Sequence, residues 1–226
     1  MKNASLTPRS WIPDQLVAIK PHLRGWFHLV TAPLSLAASI VLICLAPTAA
    51  EKWASAVYLT TSLVLFGVSA TYHRFYWAPR WETVWRRLDH SNIFLLIAGT
   101  YTPLTISLLN RHDATVLLLI VWIGSIIGIL LQLFWPTAPR LLSTLVYVAL
   151  GWVAVAYLPQ LWMAGGPVVV WLIIAGGLLY TLGALVYGFK KPDPWPTWFG
   201  FHEIFHTFTV LAWACHCVAV YFAVLG

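Results

Sequence analysis

Charge is what this 226-residue chain has least of. Only 9% of its residues are Asp, Glu, Lys or Arg, against 60% hydrophobic ones, and residues 141–189 carry no charged side chain at all. A domain surrounded by water cannot cover that much apolar surface, which excludes a soluble enzyme and implies a polytopic membrane protein. Cysteine is also scarce, with Cys44, Cys215 and Cys217 alone. Cys215 and Cys217 stand two apart, so on a helix they face different ways and cannot pair locally. The three are expected to act as small buried hydrophobes rather than as a disulfide framework. The N-terminus lacks the basic stretch, short apolar run and small-residue cleavage site of a secretory signal. Residues 1–25 read instead as a polar cytoplasmic lead-in, with a short interfacial helix expected over 11–19, followed by a single transmembrane domain over 26–226. There is no internal repeat.

The net charge of +6 does not point to nucleic acid, because the basic residues are scattered through loops and form no single patch. Topology explains them better. Uncharged stretches long enough to cross roughly 30 Å of hydrocarbon occur at 26–46, 53–73, 91–110, 114–134 and 202–225. The stretch 141–189 is too long for one crossing, and Pro159 together with Ala164-Gly165-Gly166-Pro167 divides it into two. The expected fold is all-α, a bundle of seven transmembrane helices. One set of loops then holds Lys2, Arg9, Lys20, Arg24, Arg74, Arg80, Arg86, Arg87, Arg140, Lys190 and Lys191, while the opposite set holds only Lys52 and Arg111. Since cytoplasmic loops are the basic ones, the N-terminus is expected in the cytoplasm and the C-terminus outside. The membrane expected is the plasma (inner) membrane.

Against so apolar a background the polar residues inside spans carry the information, because ionisable groups in a bilayer need partners. His73 closes span two, Asp89 opens span three, and His202 and His206 open span seven. With seven spans all four come to the same membrane face. Ser69 and His73 are four apart and share a helix face, and His202 and His206 have the same spacing, which suits two imidazoles on one metal. Three neutral histidines with a water in the fourth position form an open, catalytic Zn2+ site. Asp89 is placed either to be a fourth ligand or to accept a hydrogen bond from the bound water, and Ser69, one turn deeper, to orient that water or a carbonyl. His22, His28, His90 and His112 read as interfacial residues, although His28 begins span one on the same face. His216 lies ten residues past His206, about 15 Å along a helix, out of reach of the same metal. His202-Glu203-Ile204-Phe205-His206 also fits the HExxH pattern, in which Glu203 would be a protease base; the competing reading makes Glu203 an interfacial residue facing headgroups or a loop arginine. A pore is ranked last, since Gln132 is nearly alone as a mid-span polar group and a watery lumen needs more.

Three stretches carry a resemblance. They are Ser69-Ala70-Thr71-Tyr72-His73-Arg74, the run Leu88-Asp89-His90-Ser91-Asn92-Ile93-Phe94 continuing through Ile97-Ala98-Gly99-Thr100-Tyr101-Thr102-Pro103, and His202-Glu203-Ile204-Phe205-His206. In order, spacing and span position the chain resembles the hemolysin III family, within the progestin and adipoQ receptor superfamily, from about residue 26 onwards. The resemblance implies a seven-helix bundle with zinc near the cytoplasmic face. It maps the family's serine, aspartate and three histidines onto Ser69, Asp89, His73, His202 and His206. Related receptors carry another residue at the position of Glu203, which argues against an obligatory base there. The superfamily is similar to alkaline ceramidases, which implies hydrolysis of lipid amides, and the bacterial branch is linked to membrane-lipid homeostasis. The expected function is therefore a zinc-dependent hydrolase of lipid amides or esters, with Asp89 and Ser69 catalytic, His73, His202 and His206 on the metal, and a membrane lipid as substrate or ligand. The alternatives are a membrane sensor with structural zinc and an HExxH intramembrane protease.

Overall fold

The computed structural model describes residues 20–135 and 137–226, so the expected interfacial helix over 11–19 lies outside the described residues. These residues form helices α1 (Trp26–Leu45), α2 (Ala49–Arg74), α3 (Pro79–Leu108), α4 (Arg111–Phe134), α5 (Arg140–Gly151), α6 (Leu158–Phe189) and α7 (Phe201–Leu225), with a 3-10 turn Trp152–Tyr157 between α5 and α6. Six helical stretches are long and apolar enough to cross a membrane, the fifth running from Arg140 to Phe189. The protein is all-helical and multi-pass.

Local chemistry sets several helix starts. In Thr48-Ala49-Ala50-Glu51 the Glu51 backbone N–H donates to Thr48 Oγ1 (3.2 Å) while the Thr48 N–H donates to Glu51 Oε2 (3.1 Å), a capping box that satisfies two otherwise orphaned donors. Asn110 Oδ1 accepts from the Asp113 N–H (3.0 Å) at the start of α4. The third helix begins at Pro79, twelve residues before the apolar run that marks it in the sequence. Hydropathy registers only the part inside hydrocarbon, whereas Pro79, in the first turn, needs no donor there and is compatible with a helix that continues through the interface. Asp89 therefore sits well inside α3 rather than at its mouth.

The stretch from 140 to 189 doubles back on itself. Trp152 Nε1 donates to Thr181 Oγ1 (2.9 Å) and Arg140 Nη1 to the Tyr187 carbonyl (3.4 Å), so the start of α5 lies beside the end of α6. The reversal falls at Gly166, whose φ of 72° and ψ of −179° interrupt α6 in a region only glycine occupies readily. Pro159 lies in the first turn of α6 and does not break the chain. At the 3-10 turn, Tyr101 of α3 donates its hydroxyl proton to the Gly151 carbonyl (2.7 Å) and accepts from the Ala154 N–H (2.8 Å), which compensates the backbone groups that the irregular turn leaves unpaired.

The third helix is the hub, packing against α2, α4 and α7 and touching α5 and α6. In lipid there is little hydrophobic drive between helices, so small residues that admit close approach decide the packing. Gly99 is such a place: a Cβ there would lie 1.9 Å from Thr61 Oγ1 and 2.6 Å from Thr61 Cβ, so α2 and α3 meet only because the side chain is absent. The cysteines are all free, and only Cys217 is buried, in the cluster with Trp213 and Val220; Cys44 is exposed and Cys215 intermediate, a correction to the expectation for both. Cys44 belongs to α1, where exposed Leu34, Val41 and Leu45 show that most of the helix faces outwards.

Candidate metal centre

Four helices converge. The last turn of α2 brings His73, the third turn of α3 brings Asp89, and the first turns of α7 bring His202 and His206. The α1 start lies against them: Gly25, which precedes α1, has φ +80°, and a Cβ on it would approach His73 Cβ to 2.9 Å. Both its left-handed backbone and the lack of space call for glycine there.

One nitrogen from each of His73, His202 and His206 can be chosen so that all three lie within 4.8 Å of one another. His73 Nε2 is 3.2 Å from His202 Nε2 and 3.4 Å from Asp89 Oδ2. A tetrahedral ion with ligands at roughly 2.0–2.1 Å separates them by about 3.3 Å, so both spacings fit the edges of such a site. His73 and His206 are buried, and Ser69 is 2% exposed. Three imidazoles with a carboxylate beside them make a suitable donor set for a borderline-soft divalent ion.

The structure revises the reading of three residues. His28 is not interfacial: it is 3% exposed and its ring stacks on His206, centroids 3.9 Å apart. Nor is His90, which lines the cavity described below and pairs through Nε2 with the Tyr187 hydroxyl at 3.3 Å. In both cases the rotation of the helix about its axis turns the ring into the bundle, where the sequence shows only a histidine near the edge of a span. Glu203 does meet a lead-in arginine, Arg24, but it is 1% exposed and so faces neither headgroups nor open interface. Its second oxygen accepts the Gly200 N–H (2.9 Å), satisfying a donor at the start of α7. His216, as expected, is remote from the three histidines; its Nε2 donates to the Ile173 carbonyl (3.1 Å).

Residues 20–25 close this end of the bundle. Lys20 Nζ donates to the Tyr72 and Phe75 carbonyls (3.2 and 2.6 Å) at the end of α2, and partial burial pulls its ammonium below the ordinary lysine value, with Glu82 opposing. The backbone N–H groups of His22 and Leu23 reach the Thr197 and Trp198 carbonyls (3.0 and 3.3 Å). Hydropathy does not reveal these contacts; the only prior signal is that the lead-in ends on the face where the histidines gather.

A cavity of about 120 Å³ opens from Ser69, Asp89, His202 and His206 and extends to His216 between α3, α5, α6 and α7. Its wall is overwhelmingly apolar, with Ile93, Leu96, Val148, Trp152 and Phe205 prominent.

Fold and site together define a class: a multi-pass helical membrane protein in which three histidines, two buried and one half-buried and all close enough to hold a metal ion, head an apolar cavity. The sequence matches the family described as Haemolysin-III related over residues 17–217, and the chain belongs to that family. It is 34% identical over 201 residues to Hemolysin-3 of Bacillus cereus, covering 88% of this chain and 89% of that protein. It is 31% identical over 185 residues to the Hemolysin-3 homolog of Bacillus subtilis (strain 168), covering 81% and 84%.

Proposed function

We propose that this protein is a seven-span, zinc-dependent hydrolase of lipid amides or esters, set in the plasma membrane with its N-terminus in the cytoplasm. The observation that carries the reading is the meeting of three histidines and a carboxylate with an apolar cavity: a site for polar chemistry at the head of a space suited to an acyl chain. Seven spans are supported by the reversal at Gly166, since both arms of the 140–189 hairpin exceed the roughly 20 residues a crossing needs.

His73, His202 and His206 would hold the ion, which when bound supplies Lewis-acid polarisation of a carbonyl and a more acidic water. The chain does the rest. Asp89, beside His73, orients the attacking water and accepts its proton. Ser69, one turn from His73 on the cavity wall, orients that water or the substrate carbonyl. The cavity holds the acyl chain away from water, with His206 near one end and His216 near the other, about 15 Å apart along α7. Glu203 takes no part in the chemistry, because both its oxygens are engaged by Arg24 and Gly200.

One observation favours a second reading, a sensor with structural zinc: the 3.4 Å between Asp89 Oδ2 and His73 Nε2 also suits direct ligation by Asp89, which would close the site. X-ray absorption on the zinc-loaded protein separates three nitrogens plus one exchangeable oxygen from a site with a carboxylate ligand. For the main reading, purified protein should carry about one zinc ion per chain and hydrolyse some member of a broad panel of lipid amides and phospholipids. His73→Ala, His202→Ala and His206→Ala should each lose most of the metal while His216→Ala keeps it. Full zinc retention in the His73 variant, or a panel without any metal-dependent turnover, refutes it.

A further inference from the structure

The far end of the apolar cavity is built from three rings: Tyr101 of α3, Trp152 of the 3-10 turn and His216 of α7. The same three rings line a second, smaller cavity of about 50 Å³, which continues towards Leu104, Leu117 and Leu161. They therefore form a partition with one cavity on either side. Each ring is held at its polar tip. The Tyr101 hydroxyl donates to the Gly151 carbonyl (2.7 Å), Trp152 Nε1 to Thr181 Oγ1 (2.9 Å), and His216 Nε2 to the Ile173 carbonyl (3.1 Å). Satisfied polar contacts of this kind rigidify a buried side chain, so the partition is a fixed wall rather than a soft one.

Trp152 is the largest of the three and bridges the two arms of the 140–189 hairpin. Its acceptor Thr181 and the small residue Gly177 are one turn apart on α6 and share a helix face. A Cβ at Gly177 would already touch Trp152 Cζ2 and Cη2 at 3.6 Å, so the indole spans the gap from the 3-10 turn to α6. The depth of the first cavity follows from α7, on which His206 and His216 are about 15 Å apart. An extended alkyl chain advances about 1.25 Å per carbon, given C–C bonds of ~1.5 Å and near-tetrahedral angles. A chain that starts at the histidines therefore meets the partition after about 12 carbons.

We propose that Trp152 is the specificity-determining residue for chain length: its indole stops the acyl chain at about 12 carbons and keeps the second cavity out of reach. This rests on the reading of the cavity as an acyl-chain site, and on neither the metal nor hydrolysis.

The test measures binding rather than turnover, on the full chain held in amphipol so that no detergent chain competes. Unbranched N-methyl amides of 8 to 18 carbons displace a radiolabelled ten-carbon amide. In the wild type each added carbon should tighten binding about fourfold, up to about 12 carbons and no further. Trp152→Ala joins the two cavities, so the gain should continue and the 16-carbon amide should bind at least about 10-fold tighter than to the wild type. The 8-carbon amide ends short of the indole and should keep its wild-type affinity, which a merely structural role for Trp152 would not allow. Val148→Phe works in the opposite direction. Val148 lines the first cavity but not the second, one turn nearer the histidines, so a ring there, about 6 Å closer, should lower the limit by about 4 or 5 carbons. An unaltered limit in Trp152→Ala overturns the proposal, as does a wild-type affinity that rises without a break to 18 carbons. If Trp152→Ala binds not even the 8-carbon amide, Val148→Phe decides: an unshifted limit there overturns the proposal and a lowered one upholds it. A wild type that binds no amide of any length defeats the acyl-chain reading itself, a result distinct from the others.

Discussion

Replacing Glu203 with glutamine separates a structural carboxylate from a chemical one. The Glu203 carboxylate is 1% exposed, takes the Arg24 Nε–H on one oxygen and the Gly200 N–H (2.9 Å) on the other. Removing one partner of a buried ion pair costs about 3–5 kcal/mol, because the remaining charge is left without a counter-ion. Two features reduce that figure here. Glutamine keeps the volume and one carbonyl oxygen, and the Arg24 side chain is 21% exposed, so part of its charge stays hydrated. Glu203→Gln should therefore destabilise the fold by about 1–3 kcal/mol, and Glu203→Ala, which also strips the Gly200 N–H of its acceptor, by about 3 kcal/mol, the lower end of that range because Arg24 stays part-hydrated. Removing both charges together, as in Arg24→Met with Glu203→Met, should recover much of the loss. Stability is read from denaturant unfolding in detergent and zinc from elemental analysis of the same samples. Zinc should stay near the wild-type level in Glu203→Gln, and so should most of whatever hydrolysis is found, whereas Asp89→Asn should abolish hydrolysis because an amide cannot accept the proton. A Glu203→Gln protein with wild-type stability, full zinc and no activity, beside an active Asp89→Asn, would make the site an HExxH one and refute the reasoning.

Three further outcomes follow from the packing and the loop charges. Gly99→Ala should cost about 1–3 kcal/mol by overpacking against Thr61, and because the clash reaches Thr61 Cβ at 2.6 Å no rotamer relieves it; a double variant with Thr61→Ala, which removes Oγ1 and Cγ2 but keeps that Cβ, should regain only part of the loss in the same unfolding assay. Tyr101→Phe should destabilise by about 1–3 kcal/mol, since the Gly151 carbonyl and the Ala154 N–H lose their shared partner, and a variant as stable as wild type would mean that water replaces the hydroxyl. A C-terminal alkaline phosphatase fusion should be active in a bacterial host, because eleven of thirteen basic residues fall on the opposite side from the C-terminus; an inactive fusion with an active cytoplasmic reporter at the same point reverses the orientation.

Much of this protein is legible without coordinates because a bilayer is a strict solvent. It admits few structures, so apolar run lengths locate the crossings, and it penalises isolated ionisable groups, so His73, Asp89, His202 and His206 stand out as residues that need one another. Helical spacing then brings Ser69 beneath His73 and His202 beside His206, and parity brings the helix ends together. Tertiary structure alone decided what those rules do not constrain. A histidine near the edge of a span has the same sequence signature whether it meets headgroups or another ring, so the burial of His28 against His206 and the pairing of His90 with Tyr187 depended on how the helices rotate about their axes. The start of α3 at Pro79 was hidden because hydropathy stops at the hydrocarbon boundary while hydrogen bonding along a helix does not. Glu203 was ambiguous for the same kind of reason: its spacing within His202-Glu203-Ile204-Phe205-His206 allows either chemistry or structure, and the choice lay with Arg24, a residue 179 positions away that only the folded chain brings to it.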